Sequence, residues 1–227
     1  MELEPPLTRL DLTNTSRLVA SRYPTVGILD QVASPEDLQA VLDLESWTND
    51  RISNELGTLF TIPAGEWVVG VPNANAVMAA FCHPHPAGGR FNGPERGAWY
   101  AAFDQQTGIR ESVFRRTQEF AEIGSYEGFV QMREYLADFS APFHDVRGPD
   151  PEFRPLHDPD SYAASQALAE RLLHDGSNGV AYHSVRRPEG ECLACFRPRL
   201  VLNVRQGDHF EYRWHGTPEP TVRRLRL

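Results

Sequence analysis

The chain has 227 residues, 41% hydrophobic and 23% charged, with a net charge of −9 and a pI near 5.4. That is enough chain for one domain with a substantial core, and the acidic balance excludes non-specific binding to nucleic acid, which needs clustered positive charge. No apolar run approaches the ~18–20 residues of a membrane span, and the acidic start "MELEPPLTRLDL" has no apolar signal-peptide core, so the expected location is cytoplasmic. All 22 basic residues are arginine, which removes Schiff-base and P-loop lysine chemistry.

Residues 1–25 contain proline and read as irregular. From Ser34, "SPEDLQAVLDLESWTNDRI" reads as a helix. Ser34 is its expected N-cap, Glu36 and Asp37 suit the first turn, and Leu38, Val41, Leu42 and Leu44 supply an apolar stripe. "GEWVVGVP" reads as a short strand ended by Pro72. "NANAVMAAFCHPHPAGG" leads into a Pro/Gly loop. Trp99 to Phe103 reads as a strand, and Asp104 caps a helix through about Glu122 with Ile109, Val113 and Phe120 on one side. Phe129–Phe139 is a strand region. "SYAASQALAERLLHDG" reads as a helix with Ser161 as N-cap and Gly176 as its stop. "NGVAYHSV" and "CLACFRP" form a hairpin across the "RRPEGE" turn, and "DHFEYRW" is a late strand. The pattern is α+β with short strands and three or four helices.

Several residue groups are candidates for chemistry. Cys192 and Cys195 have C-x-x-C spacing, but no second pair completes a zinc set, and two core residues is the better reading. His83 and His85 in "HPHP" are two apart and could chelate on an extended chain, yet the prolines and glycines read more simply as a loop. Arg90 follows two glycines, and a guanidinium suits a bidentate phosphate contact. Tyr100, on the strand "GAWYAAF", can stack on a ring or hydrogen-bond. Glu111 points away from the Ile109/Val113 stripe and shares its helix face with Phe114, a setting that can tune a carboxylate for a sugar hydroxyl or a developing cation. Ser184, followed by Arg186 and Arg187, could hold a phosphate or ribose. No G-x-S-x-G elbow is present, and His183 faces away from Ser184 on a strand, so a hydrolytic triad is disfavoured. Taken singly, a surface salt bridge, strand packing and a solvated glutamate explain Arg90, Tyr100 and Glu111 as well.

Their order and flanks say more. "GGRFNGPERGAWYAAFDQQTGIRESVF" followed by "SYAASQALAERLLHDGSNGVAYHSVRRPEGECLACFRP" resembles the RES-domain family, named for an arginine, a glutamate and a serine. The matching positions are Arg90, Glu111 and Ser184, with Tyr100 at the family's tyrosine. The resemblance covers about residues 80–200. Many members have proline where His183 stands and a small residue where Arg110 stands; neither position is a named site residue. The resemblance implies an ADP-ribosyltransferase-like fold, a split and mostly antiparallel sheet with flanking helices around an NAD cleft. It divides the chain into an N-terminal extension over 1–79, with one helix packed on the core, and a RES catalytic domain over 80–227, the whole forming one compact unit.

It also implies the toxin of a bacterial type II toxin–antitoxin pair, neutralised by an Xre-type helix-turn-helix antitoxin that shields the cleft near Arg90 and supplies any DNA binding. The implied chemistry is cleavage of the nicotinamide–ribose bond of NAD+, by glycohydrolysis, phosphorolysis or transfer to a protein; a non-catalytic partner-binding module is the remaining alternative. Glu111 would act at the ribose. Arg90 would hold the pyrophosphate with Phe91 beside it, Tyr100 would orient the nicotinamide end, and Ser184 and Arg186 would contact the ligand. No G-x-G-x-x-G occurs, so NAD+ would be a substrate and not a held cofactor. No metal is implied, and whether the chain forms a homodimer is left open.

Overall fold

The structure, a computed structural model, describes residues 3–21, 28–30, 34, 36 and 59–226. The helix expected from Ser34 lies almost wholly outside these residues. Seven strands make one sheet: β1 (Leu7–Ala20), β2 (Trp99–Ala102), β3 (Glu127–Asp145), β4 (Gly179–His183), β5 (Glu191–Cys195), β6 (Leu202–His215) and β7 (Thr221–Leu225). The described α-helices are α1 (Ala74–Cys82), α2 (Gln105–Ile123) and α3 (Ala163–His174). The strand order is β1-β2-β5-β4-β3-β6-β7, with β1 also paired to β3. Every pairing is antiparallel except β3 with β4.

The sheet is split, as expected. β1 meets β2 through the single pair Ser16↔Ala102, and β3 meets β4 only at His144↔Val180 and Asp145↔Ala181. Between these thin joints lie two well-paired halves, β1-β3-β6-β7 and β2-β5-β4. Helix α2 spans them. Ile109, Val113 and Phe120 pack on Met132, Phe210, Tyr212 and Trp214 of the first half, with Phe120 stacked on Trp214 at 4.4 Å between ring centroids. Asp104 caps α2 as the sequence indicated, its carboxylate accepting from the Thr107 amide at 3.0 Å.

Residues 7–20 form an inner strand, where an irregular segment was expected. The pattern is hidden by a break in register between Leu12 and Thr15. Asn14 there adopts φ 57° and its amide donates to Asp138 Oδ1. A bulge moves later side chains to the other face and erases the period-2 signal. The expected strand "GEWVVGVP" is not one. Glu66 closes a 3-10 turn and pairs with Arg96 (2.6 Å) and Arg197 (2.7 Å), and Val68 and Val69 pack beside the α1 cluster instead of entering the sheet. "ANAVMAAFC" is helix α1 rather than an approach to a loop, and Asn73, in a left-handed conformation, gives it no side-chain cap to read. The boundary drawn at 79/80 falls inside α1, and β1 belongs to the same sheet as β2–β7. At α3 the N-cap is Tyr162; Ser161, one residue earlier, accepts from the Ala163 amide.

Cys192 and Cys195 lie three residues apart on β5, so they face opposite sides of the sheet and join different core clusters. Burial pushes the Cys195 thiol up to about 12 and raises that of Cys192 well above its usual value.

Candidate functional site

Four segments converge over the β2-β5-β4 half: the loop at Gly88–Asn92, the start of α2, the turn after β4, and the stretch between the 3-10 helix Pro151–His157 and α3. Tyr182 marks the convergence. Burial raises its hydroxyl, and it feels the charges of Cys192 and Glu111, the Tyr100 phenol and, in the opposite sense, Arg90.

Glu111 is the centre of the arrangement. Seven residues beyond the cap of α2, it turns toward the end of β4, and its Oε1 accepts from Ser184 Oγ at 2.5 Å. No hydrogen bond among the described residues reaches Oε2. Ser184 is 9% exposed, and its Oγ also accepts from the amides of Arg186 and Arg187, each at 3.1 Å. A hydroxyl has one donor and two acceptor positions. All three are in use, so Ser184 has nothing left for a ligand. In the free protein Ser184 holds the glutamate.

Arg90 is 7% exposed, and its Nη1 donates to the carbonyls of Leu156 (3.0 Å) and Asp158 (2.8 Å). Its guanidinium lies 4.7 Å from the Tyr162 ring centroid. Among the described residues no carboxylate pairs with it, and none bonds its Nε or Nη2. A planar cation over an aromatic ring, with two donor nitrogens unengaged, suits an anionic ligand.

Tyr100 and Phe91 set the loop that carries Arg90. The Tyr100 hydroxyl accepts from the Phe91 amide at 2.8 Å and donates to Asn92 Oδ1 at 2.8 Å. A Cβ on Gly89 would sit 2.7 Å from that hydroxyl, so the loop presses on Tyr100 at a residue without a side chain. Phe91 is fully buried against Tyr182, 4.8 Å between ring centroids. Its side chain, expected from sequence beside the pyrophosphate, anchors the loop in the core. The Tyr100 hydroxyl is likewise committed to the loop.

Arg186 bridges two walls. Its Nη2 donates to the Pro159 carbonyl at 2.5 Å, and its guanidinium lies 3.3 Å from the Phe114 ring centroid. Thus Arg90 and Arg186 grip the same Leu156–Pro159 turn from two sides. His157, within that turn, donates from Nδ1 to Phe153 O, and its Nε2 accepts from the His183 amide. Burial and the neighbouring His183 and Arg90 hold its pKa down, against the opposing pull of Phe153 O, which favours the neutral ring this geometry requires. His183 turns to the Arg147 carbonyl, away from Ser184. His85 accepts from the Ala87 amide and so stiffens its own loop.

The structure therefore brings Glu111, Ser184 and Arg186 into one bonded group. Arg90 and Tyr100 form a second group on the facing loop. Sequence reasoning missed Asn92, two residues after Arg90, and Tyr162, which was read only as the start of a helix.

An α+β fold with a split sheet, an arginine on a Gly-rich loop and a serine-held glutamate over the split define the class. The chain matches the RES domain over residues 65–215 and belongs to that family. It is also similar to "Uncharacterized protein y4oC" of Sinorhizobium fredii (strain NBRC 101917 / NGR234), 28% identical over 206 residues, covering 88% of this chain and 83% of that protein. Among solved structures it is similar to a chain of the M. tuberculosis MbcT–MbcA toxin–antitoxin complex, with a TM-score of 0.49, 12% identity, and coverage of 90% of this chain and 86% of that one.

Proposed function

We propose that this RES-domain chain cleaves the nicotinamide–ribose bond of NAD+, and that it is the toxin of a toxin–antitoxin pair. The observation that carries the enzymatic reading is the Glu111 carboxylate with one oxygen held by Ser184 and the other unengaged among the described residues. When the C1′–N bond breaks, its electron pair leaves with nicotinamide, and the ribose becomes oxocarbenium-like. A fixed carboxylate beside the ribose stabilises that charge and accepts from a ribose hydroxyl, the logic of glycoside cleavage. Water or phosphate then adds to C1′ through oxygen, and its proton passes to solvent. Arg90 holds the pyrophosphate through its free Nε and Nη2, and the Tyr162 ring backs its guanidinium. Arg186 adds a second cation at the mouth. Ser184 acts through Glu111, and Tyr100 acts through the Arg90 loop.

In this reading NAD+ is consumed as a substrate. Growth inhibition follows from its loss, and an Xre-type antitoxin relieves it by covering the cleft near Arg90. The test is to incubate the purified protein with NAD+, with and without inorganic phosphate, and to follow free nicotinamide. Release that requires Glu111 supports the reading. Label appearing in a macromolecule instead of free ADP-ribose or its phosphate ester assigns protein ADP-ribosylation. Partner binding without any release or toxicity assigns a non-catalytic module.

A further inference from the structure

Glu111 is fastened through a second joint that its own contacts do not reveal. The turn after β4 is hydrogen-bonded to α2 at two places, and Arg186 of the same turn lies over the Phe114 ring of α2. At the first, Ser184 Oγ donates to Glu111. At the second, Arg187 Nη1 donates to Asp104 Oδ2 (3.2 Å) and to Thr107 Oγ1 (2.9 Å), while Thr107 Oγ1 itself donates to Asp104 Oδ2 at 2.6 Å. Asp104 is the N-cap of α2, and Thr107 and Asp104 stand four and seven residues before Glu111, so the two joints are roughly 6–10 Å apart along the helix. One hydrogen bond leaves a pivot; two at that separation fix the rotation of the turn against the helix.

The turn itself is closed. The Ser184 amide donates to Gly190 O, the Gly190 amide donates to Arg187 O, and the Arg187 amide donates to Ser184 Oγ. Gly190 lies flat on Thr107: a Cβ there would sit 2.8 Å from Thr107 Oγ1 and 2.9 Å from its methyl carbon. The Arg187–Asp104 pair is 38% and 46% exposed, so it adds little to stability. Its consequence is alignment.

We infer that Arg187, acting with Asp104 and Thr107, is a positioning residue that sets the aim of the Glu111 carboxylate through the turn and Ser184. The inference rests on the reading of Glu111 as the group that acts on the ribose. In this inference Arg187 acts without touching ligand: its Nη1 is spent on the helix cap, and its backbone amide on Ser184.

The test uses the full chain and the variants Arg187→Ala, Arg187→Lys and Thr107→Val, with two readouts. In NAD+ cleavage, Arg187→Ala and Thr107→Val lower kcat by about 10-fold or more with KM within about 2-fold, since a small misplacement of an acting group costs turnover and leaves ground-state binding alone. Arg187→Lys regains most of kcat. In hydrogen exchange of the free protein, the amides of Arg186 and Arg187 exchange faster in Arg187→Ala than in wild type, with a similar melting temperature. A raised KM with unchanged kcat makes Arg187 a ligand contact and overturns the inference. So does unchanged amide exchange in both Arg187→Ala and Thr107→Val. If wild type releases no nicotinamide, the functional reading has failed, and the exchange readout still decides whether the two joints are coupled.

Discussion

Ser184 and Glu111 stand 73 residues apart in the chain and share a 2.5 Å hydrogen bond, the serine donating. This bond joins the turn after β4 to helix α2 across the split in the sheet. It leaves the serine saturated and the glutamate with one unengaged oxygen. Ser184→Ala removes the donor to Glu111 and the acceptor for two amides. The expected result is a kcat lowered by about 10- to 100-fold, a KM for NAD+ little changed, and a stability loss of about 1–3 kcal/mol from the orphaned amides. Steady-state kinetics and denaturant unfolding measure both parts. A KM effect alone would return Ser184 to ligand binding.

Arg90 joins a cation to an aromatic face and to two carbonyls of the facing turn. A lysine cannot reproduce the fork that grips the turn with one nitrogen and offers two more to a ligand. Arg90→Lys should weaken ADP-ribose binding about 10-fold or more by titration calorimetry. Unchanged affinity would remove Arg90 from the ligand site.

Tyr100 is expected to matter for shape more than for chemistry. Tyr100→Phe leaves the Phe91 amide and the side-chain Oδ1 of Asn92 without their partner, at a cost of about 1–3 kcal/mol. A melting temperature equal to that of wild type would show that the loop does not depend on this hydroxyl.

The Asp104 joint predicts an acid dependence. Two Thr107 hydrogen bonds and the nearby Arg187 charge outweigh partial burial and hold the Asp104 carboxyl below its ordinary value. A carboxyl lowered on folding stabilises the fold above its unfolded pKa, and that contribution is lost as pH falls through the folded value. Asp104→Asn should therefore flatten the pH dependence of stability below about pH 4, where unfolded aspartates protonate, and change it little near neutrality. Equal slopes in both proteins would contradict this.

The three cysteines are all buried, and burial raises every thiol, Cys82 and Cys195 to about 12. Native protein at pH 8 should resist thiol-specific reagents, and unfolded protein should react at all three. Rapid native labelling at Cys192 would place it at an exposed surface.

Much of this site could be read from sequence because it sits on local signals. Asp104 announces the start of α2, Glu111 follows at a position off the apolar stripe, and Ser184 ends a strand before a Pro/Gly turn. What could not be read was the direction of each hydroxyl and guanidinium. Ser184 looks like a ligand contact until the two amides and the glutamate around it are seen. Phe91 looks like a wall beside Arg90 until its ring is found under Tyr182. In the fold, β1 was hidden by the break at Asn14, and α1 by its lack of a side-chain cap. Both are settled by tertiary packing, which local propensity does not carry.

The central claim is that Glu111 acts on the ribose of NAD+. Nicotinamide release by purified wild-type protein and by Glu111→Gln, a replacement of equal shape without the charge, measures it most directly. Wild type should release nicotinamide and the variant should lose about 100-fold or more, with ADP-ribose binding retained. Equal release by both proteins would contradict it.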